Sequence, residues 1–281
     1  MLKATDIYVS LGRTRILHGV SLQAAPGQLT AVIGPNGSGK TTLMRALTGE
    51  LSYEGSASIN GHDIALSAPW QLAGIRGVLS QSTTLAFPFT VYEVVRLGLT
   101  AGIAISNIAE AELVSRALAR VDLVDFGNRF YQELSGGEQQ RVQLARVLCQ
   151  VWEPVIDGQP RYLFLDEPVS SLDVKHQLQI MEVAADFAAK GGAVFAIMHD
   201  LNLTAAFAHS VTLLKHGEVF AQGAVADVFT SDTLEAVYDC PMRVEEQALG
   251  MNLLVVPEMA PEMAPEMAQR VDEVARPIPG S

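Results

Sequence analysis

The chain has 281 residues, of which 49% are hydrophobic and 18% are charged. This composition excludes a disordered polymer, a collagen-like repeat and a disulfide scaffold, and the length allows one large domain or a domain with an extension. Lys and Arg number 19 against 31 Asp and Glu, and the resulting net charge of −12 gives no overall positive field to attract nucleic acid.

The cysteines and the apolar runs indicate the compartment. Cys149 and Cys240 are too far apart for a CxxC pair, which is typical of reduced cytosolic thiols. No apolar run reaches the roughly 18 residues that a membrane helix needs, and the first residues lack the pattern of a secretory leader. We therefore expect neither a membrane span nor export.

The first part of the chain has the pattern of short strands. Apolar residues alternate over 2–24, which favours antiparallel strands. Residues 29–33 are an apolar run that ends at a glycine-rich segment, as expected for a buried strand leading into a loop. Asn60-Gly61 predicts a tight hairpin turn after residues 57–59, because both central positions of such a turn favour a positive φ.

Helical periodicity dominates about 82–150, where we predict a helical subdomain. Strand character returns at 162–165 and 193–198, separated by a helix pattern over 174–188. A strand, a crossover helix and a second strand predict a parallel sheet, and hence an α/β fold. The segments on either side of His216-Gly217 predict a closing hairpin.

The end of the chain is a repeat. From Pro257 the sequence reads Pro-Glu-Met-Ala three times and then ends in Arg-Pro-Ile-Pro-Gly-Ser. A proline at every fourth position prevents a continuous helix, so we expect a mobile tail. A Met-rich metal or haem contact is the alternative.

A glycine-rich segment follows the strand predicted at 29–33. It reads Gly-Pro-Asn-Gly-Ser-Gly-Lys-Thr and satisfies the phosphate-loop pattern G-x-x-x-x-G-K-[ST] between a strand and a helix-like run. Glycines let successive N–H groups surround a phosphate, and the following helix directs its positive dipole end toward the anion. Lys40 would reach the β- and γ-phosphates and Thr41 would offer its hydroxyl to Mg²⁺; the alternative is a glycine turn beside an unrelated lysine. The candidate nucleotide-binding residues here are Gly34, Pro35, Asn36, Gly37, Ser38, Gly39, Lys40, Thr41 and Thr42.

Two adjacent carboxylates, Asp166 and Glu167, end the apolar strand predicted at 162–165. Ligands of open α/β sheets bind at this end of the strands. Asp166 can hold Mg²⁺ through its water shell, whereas Glu167 can accept a proton from attacking water. The alternative is a pair of solvated loop carboxylates, which the apolar run before them disfavours.

A second anion site is suggested by the segment Leu-Ser-Gly-Gly-Glu at 134–138, just before a helix pattern. A serine hydroxyl and exposed N–H groups at a helix N-terminus suit an anion. From the residues alone, simple capping of the helix is an equally good interpretation.

The order of these motifs resembles that of ATP-binding cassette (ABC) transporter ATPases. Phosphate loop, Leu-Ser-Gly-Gly-Glu, Asp-Glu-Pro at 166–168, Ser-Leu-Asp at 171–173 and His199 follow one another as in that family, and the resemblance covers about 1–240. It implies a P-loop NTPase fold of the ABC ATPase type: a mixed RecA-like core sheet, an antiparallel β subdomain and a helical signature subdomain. The implied division is an ATPase domain at 1–240, a C-terminal extension at 241–256 and the repeat tail at 257–281.

The resemblance also implies roles for single residues. Glu167, His199 and Gln81 are the candidate catalytic residues: His199 resembles the switch histidine at the γ-phosphate, and Gln81 the glutamine that senses the γ-phosphate and Mg²⁺. Tyr8 resembles the aromatic residue that stacks on adenine, and Asp173 the residue that couples two sites across a dimer. The candidate Mg²⁺ residues are Thr41, Gln81 and Asp166. The signature residues that would contact ATP held by the other subunit are Ser135, Gly136, Gly137 and Glu138.

Within the family, residues 79–91 and 152–160 resemble the haemin importer subgroup, whose close relatives import iron siderophores or cobalamin. The six histidines show no ligand-like spacing, so the cargo should pass through a separate permease. The resemblance implies an ATP- and Mg²⁺-dependent homodimer that is peripheral at the cytoplasmic face of the inner (plasma) membrane. Its partners would be two transmembrane permease subunits and, indirectly, a substrate-binding protein, with no nucleic acid.

Two alternatives remain from the sequence. A soluble ABC ATPase that acts on nucleic acid or ribosomes usually carries two cassettes, a coiled-coil arm or zinc modules, and none of these is evident here. A regulatory nucleotide-binding module without turnover is disfavoured because both Glu167 and His199 are present.

Overall fold

Strand β3 (Leu29–Ile33) is buried along its whole length and lies inside a six-stranded sheet. The computed structural model describes residues 1–81, 87–101, 108–170, 172–246 and 253–257. The order of the sheet is β12-β11-β3-β10-β9-β6; β12 is antiparallel to β11 and the other pairs are parallel. Its remaining strands are β6 (Arg76–Leu79), β9 (Tyr162–Asp166), β10 (Ala193–Ile197), β11 (Ser210–Lys215) and β12 (Glu218–Ala224).

The parallel register brings four predicted site segments to one edge of this sheet. Ile197 pairs with both Val32 and Asp166, and Leu79 pairs with Leu165, so β3, β10, β9 and β6 end side by side. The phosphate loop, the acidic pair, His199 and Gln81 each follow one of these strand ends. Parallel strands that are buried on both faces of the sheet have continuous apolar runs, which explains the sequence pattern at 29–33, 162–165 and 193–198. The alternating pattern over 2–24 belongs instead to antiparallel strands.

A second sheet is antiparallel, with the order β2-β1-β4-β5. The hairpin predicted at Asn60-Gly61 is present, and both residues have positive φ values, 52° and 82°. This sheet packs with helix α1 (Lys40–Leu47) and with one face of the six-stranded sheet in a common core. Its strands are β1 (Leu2–Leu11), β2 (Thr14–Ala24), β4 (Glu54–Ile59) and β5 (His62–Asp63).

The described part of the region predicted as helical contains the α-helices α3 (Val91–Ala101), α4 (Glu110–Arg120) and α5 (Gly136–Gln150), with short 3₁₀ helices at Val124–Phe126 and Tyr131–Glu133. Their apolar stripes, such as Val91, Val94 and Val95 of α3, are buried together. Gly98 lets α3 approach α5 closely, because a Cβ there would collide with the carbonyl oxygen of Arg146. Residues 82–86 and 102–107 of this region lie outside the described residues.

The remaining helices surround the main sheet and the chain end. The helix predicted at 174–188 is α6 (Val174–Ala189), which crosses from β9 to β10. Helix α2 and two further hairpins were not predicted from the sequence, because their runs are too short to show a period. The other elements are α2 (Pro69–Ile75), β7 (Val155–Ile156), β8 (Gln159–Pro160), α7 (Leu201–Phe207), α8 (Val225–Val228), α9 (Ser231–Tyr238), β13 (Met242–Glu246) and β14 (Leu253–Pro257).

Part of the predicted C-terminal extension is an antiparallel pair of strands, β13 and β14, that lies against α7. The side chain of Asn202 in α7 donates to the carbonyl oxygen of Val255 and accepts from its N–H, at 3.2 and 2.8 Å. The Pro-Glu-Met-Ala tail beyond Pro257 and Ser171 of the Ser-Leu-Asp motif lie outside the described residues. Among the helices that are described, none has the length and apolar character needed to cross a membrane.

Candidate functional site

The phosphate loop has the local geometry that its glycines predict. Gly34 has a φ of +148°, and a Cβ there would collide with the carbonyl oxygen of Leu214. Gly39 has a φ of +101°, and its Cβ would lie 2.7 Å from Cδ2 of Leu17. Both positions therefore require glycine, and the loop is pressed against β11 and β2 with its outer side open.

Lys40 is the first residue of α1 and only 6% of its surface is exposed. Its ammonium group donates to the carbonyl oxygens of Gly34 and Pro35, at 2.8 and 3.0 Å. Burial lowers the pKa of Lys40, and the nearby charges of Glu167 and Asp166 act in the opposite direction. A buried cation held by the loop's own carbonyls is placed beside the space that a phosphate group would fill.

Asp166 lies at the last position of β9 and is 5% exposed. Burial, followed by the negative charge of Glu167, raises its pKa to about 6. Its Oδ1 and the hydroxyl of Ser38 are buried and lack a hydrogen-bond partner among the described residues. Buried orphan oxygens next to the loop suit a divalent cation and its water shell, so the residues present fit Mg²⁺.

Glu167 is contacted from two sides. Gln81 Nε2 donates to Glu167 Oε2 at 2.9 Å, and His199 Nε2 lies 2.6 Å from Glu167 Oε1. These three residues come from different strand ends, yet they meet at a single carboxylate. The structure thus brings together the three candidate catalytic residues, and each carboxylate oxygen keeps a lone pair for a further proton.

Lys40, Glu167 and His199 line one cleft, about 280 Å³ in volume, whereas Gln81 and Asp166 are not among its described lining residues. Of the described residues that line it, none belongs to 135–138. In a single chain, the described signature residues therefore lie outside the cleft that Lys40 and Glu167 line. The lining residues are Ile16, Asn36, Gly37, Gly39, Lys40, Thr41, Thr42, Glu167 and His199.

The signature segment forms the predicted N-cap of α5. The backbone N–H and the hydroxyl of Ser135 donate to the carboxylate of Glu138 at 2.8 Å, and the N–H of Glu138 donates to the hydroxyl oxygen of Ser135 at 3.4 Å, so the two residues form a capping box. These hydrogen bonds from Ser135 lower the pKa of Glu138. Gly136 is exposed, and a Cβ there would meet no atom within 4 Å. Ser135 and Gly136 are exposed although Ser135 caps the helix, so capping and ligand contact are compatible.

Asp173 caps α6 and is exposed. Its Oδ1 accepts from the backbone N–H of His176 at 3.0 Å and lies 2.8 Å from His176 Nδ1. The hydrogen bonds from His176 outweigh the opposing effect of desolvation and lower the pKa of Asp173. The carboxylate of Asp173 is therefore held in one orientation at the start of α6.

Tyr8 lies on β1, outside the cleft lining. The guanidinium of Arg15 covers its ring at 4.9 Å from the centroid, and its hydroxyl faces Gly19. The stacking of Tyr8 on adenine stays a prediction. Ile16 on β2 does line the cleft, although the sequence analysis did not identify it as a candidate. An alternating strand gives no sign of which apolar residue faces a ligand.

The comparisons with known proteins agree with this geometry. The ABC transporter family profile matches residues 17–170. The chain is 55% identical over 259 residues to the hemin import ATP-binding protein HmuV of Mesorhizobium japonicum, covering 92% of this chain and 98% of that protein. It is 56% identical to the protein of the same name from Rhizobium meliloti, covering 92% and 99%.

A solved dimeric structure of a bacterial ABC transporter cassette matches with a TM-score of 0.69 at 27% identity, covering 80% of this chain and 99% of that one. The chain belongs to the ABC transporter family. The predicted fold class is thereby confirmed.

Proposed function

We propose that this chain is the ATP-hydrolysing subunit of a hemin importer and that it powers a permease through ATP-driven closing and opening of a dimer. The observation that carries the ATPase proposal is the convergence of Gln81 and His199 on Glu167 beside the Lys40 cradle. The hemin cargo is supported by identities of 55 and 56% to relatives named for hemin import.

Glu167 is the proposed general base. Its side chain is half-buried and is held by an amide on one oxygen and an imidazole on the other, which fixes its orientation. A positioned base of this kind contributes about 10²–10⁴-fold to a hydrolysis rate. Lys40 would bind the β- and γ-phosphates, while the loop N–H groups surround them.

Thr41, Gln81 and Asp166 would hold Mg²⁺, and Asp166 would do so through the metal's water shell. The bound ion would supply charge neutralisation at the phosphoryl oxygens. The carboxyl group of Asp166 must lose its proton to hold Mg²⁺. The positive charges of Lys40 and of the Mg²⁺ ion both favour this ionised form.

The proposed active unit is a homodimer with two ATP molecules held head to tail. Each would lie between Lys40 of one chain and Ser135, Gly136 and Gly137 of the other, since these residues are absent from their own chain's described cleft lining. The solved dimeric structure of a related cassette supports a dimer. Loss of the γ-phosphate would remove contacts that only the closed state makes, which is what an ATP-driven population shift requires.

We further propose a peripheral position at the cytoplasmic face of the inner membrane, with two permease subunits as partners and a substrate-binding protein upstream. In this proposal residues 1–240 form the ATPase domain, with the helical subdomain at about 82–150. Residues 241–256 form an extension, and the repeats from 257 to 281 form a tail.

Reconstitution tests cargo and activity together. The complex of this chain with its permease is placed in liposomes, and ATPase rates are measured with binding protein loaded with hemin, a ferric siderophore or cobalamin. We expect stimulation by the hemin-loaded protein alone. Stimulation by either other cargo would overturn the hemin proposal while leaving the ATPase intact, and a wild-type complex without hydrolysis would overturn both.

A further inference from the structure

The backbone of Glu167 is unusual for a residue with a side chain. Its φ is 51°, in the left-handed region that non-glycine residues rarely adopt. Such a conformation persists only where the surroundings hold it, and it re-aims the side chain that follows a strand. What holds the backbone of Glu167 therefore also sets where its carboxylate points.

Gln140 supplies one of these restraints. Its side-chain Nε2 donates to the backbone carbonyl oxygen of Glu167 at 3.0 Å. The amide is partly buried, and it lies on α5, which begins directly after Ser135. The other contacts of the Glu167 backbone come from nearby core segments: its N–H donates to the carbonyl of Ile197, and its carbonyl accepts from the N–H of Ser170. Among the described residues, the hydrogen bond from Gln140 thus joins the backbone of Glu167 to the helical region.

We propose that Gln140 is a positioning residue that ties the orientation of Glu167 to the signature helix of the same chain. Gln140 lies five positions after Ser135 in the sequence. At 1.5 Å per residue, this is roughly 7.5 Å along a rigid helix. A displacement at the helix N-terminus would therefore also move the amide that holds the carbonyl of Glu167.

The consequence rests on the dimer of the proposed function. There Ser135 touches the ATP held by the partner, whereas Glu167 serves the ATP held by its own chain. The N-terminus of α5 thus contacts the ATP held by the partner. Through Gln140, the same helix supports the general base that serves the ATP of its own chain. Occupation of one site would adjust the base at the second, which makes hydrolysis cooperative in ATP.

The test uses the full chain, with ATP turnover and ATP affinity measured separately. Gln140→Met keeps the length of the side chain and removes the donor, and Gln140→Glu keeps its shape but provides only acceptors. Gln179→Met is the matched control, because that amide on α6 also donates to a backbone carbonyl across the border of the helical region, that of Arg120 at 3.1 Å. All variants are checked for wild-type thermal unfolding.

For Gln140→Met we expect a kcat lower by roughly 3- to 10-fold, the effect of one lost hydrogen bond, with the Kd for ATP unchanged. We also expect the Hill coefficient for ATP to fall toward one in this variant. Gln140→Glu should lower kcat at least as far as Gln140→Met does. Gln179→Met should have the kcat and the Hill coefficient of wild type.

Wild-type kcat and cooperativity in both Gln140 variants would overturn the proposal. So would an equal loss in Gln179→Met, or a parallel loss of ATP affinity, because either would indicate a general structural effect. A wild-type chain that neither binds nor hydrolyses ATP would instead overturn the proposed function.

Discussion

His199 Nε2 lies 2.6 Å from Oε1 of Glu167, although the two residues are 32 positions apart. They meet because β9 and β10 are parallel neighbours, so that their carboxyl ends lie at the same edge. The contact orients the carboxylate of Glu167 without burying it fully, and it leaves the cleft side of the group accessible to water. This pairing is the basis for the first prediction.

Replacing Glu167 by Gln removes the proposed base but keeps the shape of the side chain. We expect ATP hydrolysis to fall by about 10²–10⁴-fold, with ATP binding retained. The measurement is steady-state phosphate release together with equilibrium nucleotide binding. Glu182→Gln, at an exposed position of α6, is the control for loss of one carboxylate and should keep wild-type turnover. Wild-type hydrolysis in Glu167→Gln would remove Glu167 from this role.

Replacing Lys40 by Ala removes the buried ammonium group from the phosphate loop. Hydrogen bonds to charged groups are worth about 1.5–3 kcal/mol, which corresponds to a loss of ATP affinity of roughly 10- to 150-fold. Titration with a fluorescent ATP analogue measures this loss. Lys190→Ala, which removes only an exposed pair with Asp186, should bind ATP normally. Unchanged affinity in Lys40→Ala would count against the phosphate-loop assignment.

The buried carboxyl of Asp166 predicts a pH-dependent stability in the absence of Mg²⁺ and nucleotide. Its ordinary pKa is 3.8, and burial raises the pKa to about 6 in the native chain. Between these values the native state keeps a proton that the unfolded state has released. The free energy of unfolding therefore falls as pH rises from about 4 to 6 and stays lowered above that window.

Asp166→Asn lacks this ionisation. We expect its Tm, relative to wild type, to rise over pH 4–6 and then to level off, as measured by thermal unfolding across pH. Asp232→Asn, at an exposed position of α9, controls for loss of one carboxylate. Saturating Mg²⁺ and ATP should reduce the difference in Tm at pH 7, since the ionised carboxylate then has a cation nearby. Parallel Tm curves for the Asp166 variant and wild type would contradict the effect.

Gly98→Ala tests the packing of the helical region on the signature helix. A Cβ at this position collides with the carbonyl oxygen of Arg146 and approaches Cβ of Cys149 to 3.1 Å. We expect a loss of about 1–3 kcal/mol in the free energy of unfolding, as for overpacked cores. Urea unfolding measures it. At Gly127 the nearest atom to a Cβ would be Cβ of Tyr92 at 4.0 Å, so Gly127→Ala should cost much less; equal losses would refute the packing argument.

Much of the fold could be predicted because the relevant signals are local. The apolar run at 29–33, the turn at Asn60-Gly61 and the helix over 174–188 each appear where the pattern predicts them. The phosphate loop could also be predicted, because glycine and lysine spacing directly encode a backbone shape. Roles assigned to Tyr8, Asp173 and the signature residues stay predictions.

Other features depend on residues that are remote in sequence. Gln140 gave no signal, since a glutamine in a polar helical turn is ordinary until its partner, 27 positions away, is known. Ile16 has the pattern of an ordinary strand residue, and only the tertiary structure places it in the lining of the cleft. Helix α2 and the C-terminal hairpin were too short for a period to emerge.

The sequence by itself determined which chemical groups are available and which backbone shapes they require: a phosphate loop, an acidic pair after an apolar strand, and a capped signature helix. Only the tertiary structure decided that Gln81, His199 and Gln140 all restrain Glu167. The physical reason is that spacing along a chain specifies local hydrogen bonds and turns. The meeting of distant side chains depends instead on strand order and helix packing, to which the whole buried core contributes.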